Sequence, residues 1–197
     1  KIYYIQKDRR GYMWFLTQEG VDRYDGKYIK HYNFSDDSIK LDSRIALNWL
    51  YMDSGNILWV IGQKGRIFRY DSQHDKFKLA YIHPELIRNK PQAFLNYGYL
   101  DKNDRIWLCY KDSITWYDIR TGTTLHMPTP VNGEITAIEQ TDSNHFFIGT
   151  GNGLFHAGIE KGKLNIMPDK MVEGIGTSVH ELYYHAVSKQ LFVGNYK

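Results

Sequence analysis

A single cysteine, Cys109, stands among 197 residues, so no internal disulfide can cross-link this chain. Its place in an apolar run makes it a small core residue rather than a reactive thiol. Charge of one sign is also missing. Lys and Arg number 25 against 22 Asp and Glu, a net charge of +3, and no basic run reaches five residues. That interspersion describes a solvated surface and argues against a nucleic-acid footprint. No signal-peptide pattern and no membrane-spanning apolar run is visible. With 42% hydrophobic residues, the chain carries enough apolar material for an ordinary core.

The chain instead repeats itself. Tyr4–Gly26 reads YIQKDRRGYMWFLTQEGVDRYDG, Leu50–Asp71 reads LYMDSGNILWVIGQKGRIFRYD, and Tyr99–Asp118 reads YLDKNDRIWLCYKDSITWYD. Each copy has an Asp, a turn, an apolar strand centred on Trp, a second turn and a strand ending in Tyr-Asp. Fainter copies centre on Phe147 and Phe192. The anchors Trp14, Trp59, Trp107, Phe147 and Phe192 are spaced by 45, 48, 40 and 45 residues. The apolar runs are short, rich in Tyr, Trp, Ile, Val and Phe, and bounded by Gly, Asn and Asp, which is strand-and-hairpin composition. A period of roughly 40 to 50 residues with that composition predicts an all-β chain of four-stranded propeller blades. The blade boundaries fall near 1–44, 45–92, 93–134 and 135–178, with 179–197 incomplete.

Positions that recur in each unit read as scaffold. Asp8, Asp53 and Asp101 sit six residues before their Trp and are expected to cap the first turn by bonding its backbone. Trp14, Trp59 and Trp107 are expected to pack between blades, because burying an indole is among the larger core contributions. Tyr24, Tyr70 and Tyr117, each followed by Asp, are expected to end a strand at its turn. Two apparent chemical motifs fail. His180 and His185 flank a Glu, but a zinc-protease helix needs the second His four residues on, where Tyr184 stands, and the segment reads as a strand. Gly149, Gly151 and Gly153 lie in a hairpin with no helix after it, so they are not a dinucleotide loop. No metal or cofactor is expected.

The pattern D-x-x-G-x-(I/L)-W-(I/V)-G-T-x-x-G-(I/L)-x-x-Y-D resembles the two-component regulator propeller repeat. Asp8, Gly11, Trp14, Thr17, Gly20, Tyr24, Asp25 and Gly26 match it in the first copy. Asp53, Trp59, Gly62, Gly65, Tyr70 and Asp71 match it in the second. In the third, Asp101, Trp107, Tyr117 and Asp118 match, with Cys109-Tyr110 in place of Gly-Thr. Gly149, Thr150, Gly153 and Leu154 carry the fourth. The resemblance implies the periplasmic sensor region of a Bacteroidetes-type hybrid two-component system, whose signals are oligosaccharides released from complex glycans. It implies a non-enzymatic ectodomain joined through a membrane helix to a kinase elsewhere in the parent chain. Family blades close at about seven. The chain therefore reads as part of a longer protein, partnered by the remaining blades and by a second protomer in a homodimer.

Propeller ligands usually meet the loops of one face, so the expected site lies on the outer-to-inner crossovers and the second-to-third-strand turns. The crossover HPELIRNKPQ is the most unusual, with His83, Arg88 and Lys90. Sugars need flat aromatic faces, which Trp49, Tyr51, Tyr97 and Tyr99 can offer near inner strands. Arg44, Arg88 and Lys90 are suited to uronate or sulfate groups. Trp116 departs from the small or polar residue usual before Tyr-Asp, and is expected to be exposed or to fill an interface. Two other classes remain open: a protein-interaction scaffold, and a propeller lyase or glycosidase. The latter needs a converging acid and base, and no carboxylate pair is placed at inner-strand ends of adjacent blades.

Overall fold

The computed structural model describes residues 1–34, 46–84, 94–131, 133–171 and 178–195. Its 18 strands among these residues form antiparallel sheets in which every ladder joins strands adjacent in sequence. The chain divides into two compact units, Lys1–Phe94 and Leu95–Lys197.

The first unit holds two four-stranded meanders. One joins β1 (Ile2–Lys7), β2 (Met13–Thr17), β3 (Gly20–Tyr24) and β4 (Ile29–Tyr32). The other joins β5 (Leu47–Met52), β6 (Leu58–Gly62), β7 (Ile67–Asp71) and β8 (Lys76–Tyr81). The second strand of each is the apolar one: all five residues of β6 are buried, while β2 buries Trp14 and Leu16 on one face and half-buries the other. Trp14, Leu16, Val21, Leu47, Leu50, Leu58, Val60 and Phe68 make one buried cluster shared by the two sheets. The turn between β2 and β3 needs Gly20. Its φ is +146°, and a Cβ there would lie 2.5 Å from the Tyr32 carbonyl oxygen.

The second unit repeats the meander. One sheet joins β9 (Tyr97–Leu100), β10 (Arg105–Cys109), β11 (Ser113–Asp118) and β12 (Thr124–Pro128). The next joins β13 (Ile135–Gln140), β14 (His145–Thr150), β15 (Gly153–Glu160) and β16 (Lys163–Met171). A hairpin of β17 (Glu181–His185) and β18 (Gln190–Gly194) follows. Trp107, Cys109, Ile114, Trp116, Ile135, Ile138, Phe146 and Ile148 form its buried cluster. Burial raises the Cys109 thiol well above its ordinary range, which makes it an inert packing residue.

A register irregularity recurs at the start of three first strands, between Ile2 and Tyr4, Leu47 and Trp49, and Ile135 and Ala137. Bulges of this kind bend and twist the strand that carries them.

Candidate functional site

The repeated Asp does two jobs at once. In the first sheet, Asp8 Oδ1 accepts the backbone N–H groups of Arg10 (2.9 Å) and Tyr12 (3.0 Å), while Oδ2 accepts the indole N–H of Trp14 (3.0 Å). Asp53 Oδ1 accepts Ile57 N (2.7 Å), and Oδ2 accepts Trp59 Nε1 (2.8 Å). Asp101 Oδ1 accepts Asn103 N and Arg105 N, and Oδ2 accepts Trp107 Nε1 (2.8 Å) and Arg105 Nε (2.7 Å). One carboxylate oxygen thus closes the turn and the other satisfies a buried indole donor. That explains why Asp and Trp keep a six-residue spacing.

The fourth copy departs from this in a consistent way. The Phe147 side chain has no N–H, and Asp142 turns instead to the His145 ring (2.8 Å) and to the backbone of Asn144 and His145. A second Asx cap follows each Tyr-Asp pair: Asp25 accepts Lys27 N and Tyr28 N, Asp71 accepts Gln73 N, and Asp118 accepts Arg120 N and Thr121 N.

Sites outside this scaffold are where the sheets differ. Arg23 and Arg69 stand opposite the Trp on the third strand of the first two sheets, and Trp116 takes that place in the third. Trp116 is buried 5.0 Å from Trp107, and the Arg105 guanidinium covers it at 5.0 Å. It fills an internal position and is not exposed.

Asp75, in the β7–β8 turn, gathers four donors from the two sheets of the first unit. The Tyr32 and Tyr70 hydroxyls each donate to Oδ1 (2.6 Å), Arg23 Nη1 donates to Oδ1 (2.8 Å), and Lys30 Nζ lies 2.5 Å from Oδ2. Burial alone would raise this carboxyl. Hydrogen bonds from Lys30, Tyr32 and Tyr70 and the Arg23 charge outweigh it and hold the group well below the usual carboxylate range. The same burial, with Asp75 beside them, raises the Tyr32 and Tyr70 phenols.

A depressed carboxyl contributes stability that is present above its unfolded value near 4 and is lost as pH falls through the folded one. Asp75→Asn is therefore expected to loosen the first unit by about 1–2 kcal/mol at neutral pH, a figure that allows for the carboxylate's partial exposure. The penalty should begin to shrink as the wild type is acidified below about pH 4 and keep falling toward the lower folded value. Hydrogen exchange of β3, β4, β7 and β8 reads it. An equal penalty at pH 3 and pH 7 would refute it.

On one end of these two sheets a cleft of about 200 Å³ opens between them. It lies at the β1–β2, β5–β6 and β7–β8 turns, the end opposite the β2–β3 turn. Arg10, Tyr12, Asn56 and Ser72 line it, with Asp8, Trp14 and Tyr70 deeper in. A further hollow in the second unit, between the third and fourth sheets' turns, is lined by Lys102, Arg105, Asp118, Arg120 and Asn144.

Of the expected ligand contacts, Arg44, Arg88 and Lys90 lie outside the described residues. Trp49 is buried in β5, so its ring offers no open face to a sugar. His83 is half-buried just after β8, and Tyr97 is half-buried against the second unit's core. Trp49 and His83 fall in the first unit and Tyr97 in the second. The Tyr99 hydroxyl oxygen accepts the backbone N–H of Gln140 (3.2 Å), and burial raises its phenol. His180 and His185 bond Ser178 and Ser188 respectively (2.8 and 2.7 Å), each a local contact.

No known family pattern and no curated protein sequence matches the chain. Solved structures do. The extracellular domain of a hybrid two-component system of B. thetaiotaomicron aligns over 97% of this chain and 29% of its own, with TM-score 0.69 and 19% identity. A second such extracellular domain from the same organism aligns over 98% of this chain and 32% of its own, with TM-score 0.62 and 13% identity. Virginiamycin B lyase from Staphylococcus aureus aligns over 92% of this chain and 59% of its own, with TM-score 0.67 and 15% identity. The shared property is the fold, which is all-β and propeller-like. The chain spans about a third of the length of the sensor ectodomains it matches.

Proposed function

We propose that this chain is part of the ligand-sensing ectodomain of a hybrid two-component system, held in the periplasm by its parent protein. The observation that carries this reading is the alignment of nearly the whole chain with a sensor extracellular domain of B. thetaiotaomicron. The Asp–Trp turn unit, in which sequence repeat and hydrogen bonding coincide, supports it. The signal is an oligosaccharide derived from a complex glycan, and the working unit is a homodimer. Ligand must bind one arrangement of the two protomers better than the other, since an equal affinity for both transmits nothing. The chain itself does no chemistry in this reading. Asp8, Asp53 and Asp101, the carboxylates repeated in each unit, are committed to turns and indoles.

The test is a calorimetric screen of the complete ectodomain against glycan fragments, with product analysis of each mixture. Binding of one oligosaccharide without cleavage is the expected result. Turnover of a glycan would move the assignment to an enzyme. Capture of a protein partner with no glycan bound would move it to a scaffold.

A further inference from the structure

Resting on that reading, we infer that the cleft between the first two sheets binds an acidic sugar unit, with Arg10 taking its carboxylate. The position matters as much as the residues. Asp8, Trp14 and Tyr70 at the cleft floor repeat as scaffold elsewhere, but Arg10 and Tyr12 at its rim occupy positions that vary. Where the first copy has Arg10 and Tyr12, the second has Gly55 and Ile57 and the third Asn103 and Arg105.

The chemistry follows from which groups are already used. Asp8 lines the cleft, yet its two oxygens receive three N–H donors from Arg10, Tyr12 and Trp14. Tyr70 donates to Asp75 and accepts from Arg23. By contrast, the Arg10 guanidinium, the Tyr12 hydroxyl and the Ser72 hydroxyl make no hydrogen bond to another described residue, and Asn56 uses only its carbonyl oxygen, which accepts Arg9 N. Every group left over can donate, and one of them is a full positive charge. A guanidinium fork is matched by a carboxylate, two N–H groups to two oxygens. Hydroxyl and amide donors around it suit ring and hydroxyl oxygens. The Tyr12 ring, with Arg23 on one face at 4.8 Å, supplies flat apolar surface beside them.

Size sets the unit recognised. Clefts that hold drug-sized ligands run from about 300 Å³ upward. At about 200 Å³ this one fits a single pyranose with the rest of the chain outside.

The experiment titrates galacturonate trisaccharide, with maltotriose as the neutral control, into the complete ectodomain and its Arg10→Gln and Ser72→Ala variants. The uronate trisaccharide should bind the wild type. Arg10→Gln should weaken it about tenfold or more, because a charge-assisted pair is lost, and Ser72→Ala by a few-fold. Arg10 is exposed and its side chain supports nothing else, so melting temperatures should stay put. Equal affinity in wild type and Arg10→Gln overturns the cleft and leaves the sensor reading standing. Failure of the uronate to bind the wild type also overturns it, even where a neutral glycan binds. Failure of every glycan overturns both readings.

Discussion

Trp107→Ala is expected to destabilise the second unit by about 3–5 kcal/mol, among the largest effects of any truncation of the described residues. The ring is fully buried, with Phe146 at 4.8 Å, Trp116 at 5.0 Å and Tyr99 at 6.4 Å between centroids. Its removal opens a cavity among aromatic side chains that cannot collapse into it. It also takes away an N–H donor that Asp101 accepts inside the protein. A phenylalanine at the same position separates the two losses. Trp107→Phe keeps most of the packing but leaves Asp101 short of a partner, and should cost about 1–2 kcal/mol. In the complete ectodomain the readout is amide exchange in β10 and β11, since a multidomain unfolding curve does not yield one free energy. Exchange should accelerate by roughly two to four orders of magnitude for alanine and by about tenfold for phenylalanine. A change below tenfold for alanine would show that Trp107 is not a core anchor.

Asp101→Ala ranks second, and its informative control is Asp142→Ala. The Asp101 side chain is fully buried and receives four donors: two backbone N–H groups, the Arg105 Nε–H and the Trp107 indole. Deleting it strands all four and leaves the Arg105 charge, itself mostly buried, without its counter-ion. Breaking such a pair costs about 3–5 kcal/mol. Asp142 is the turn Asp of the fourth copy, five residues before its anchor instead of six; its side chain is 58% exposed and its charged partner is the surface ring of His145. Its loss should cost under about 1 kcal/mol. Both substitutions remove a carboxylate from the first turn of their copy. If they destabilise equally, burial and the indole bond are not what the conserved spacing serves.

The repeat made the strands legible. A turn-forming Asp, an apolar run and a Gly-bounded turn are local signals, and the apolar runs around Trp14, Trp59 and Trp107 form β2, β6 and β10. The expected turn caps at Asp8, Asp53 and Asp101 are present as backbone bonds. Their bonds to the indoles are the part a turn rule does not contain, although the constant six-residue spacing was the available signal. Asp75 shows what a repeat hides altogether. It occupies no consensus position, and its partners Arg23, Lys30 and Tyr32 come from 43 to 52 residues earlier. Only the stacking of two sheets brings them together. Trp49 went the other way. An aromatic residue on a first strand suits a platform for sugars by sequence alone, and the packing of β5 puts it inside. The turn that carries Arg10 has the scaffold pattern of the repeat, so nothing local marks the cleft. The free donors there become visible only once the used ones have been counted.

The strand order has a consequence for how such a chain comes into being. Because every ladder joins neighbours in sequence, a sheet such as Ile2–Tyr32 needs no residue from farther along to complete its hydrogen bonds. Hairpins close in about 1–10 microseconds, whereas synthesis adds about 5–20 residues each second. A growing chain therefore has time to finish each meander before the next one exists. Long-range search, the slow step for most all-β proteins, is replaced by a series of short ones. What is left for later is the docking of finished sheets, in which Trp14 meets Tyr70 and Asp75 collects its four donors.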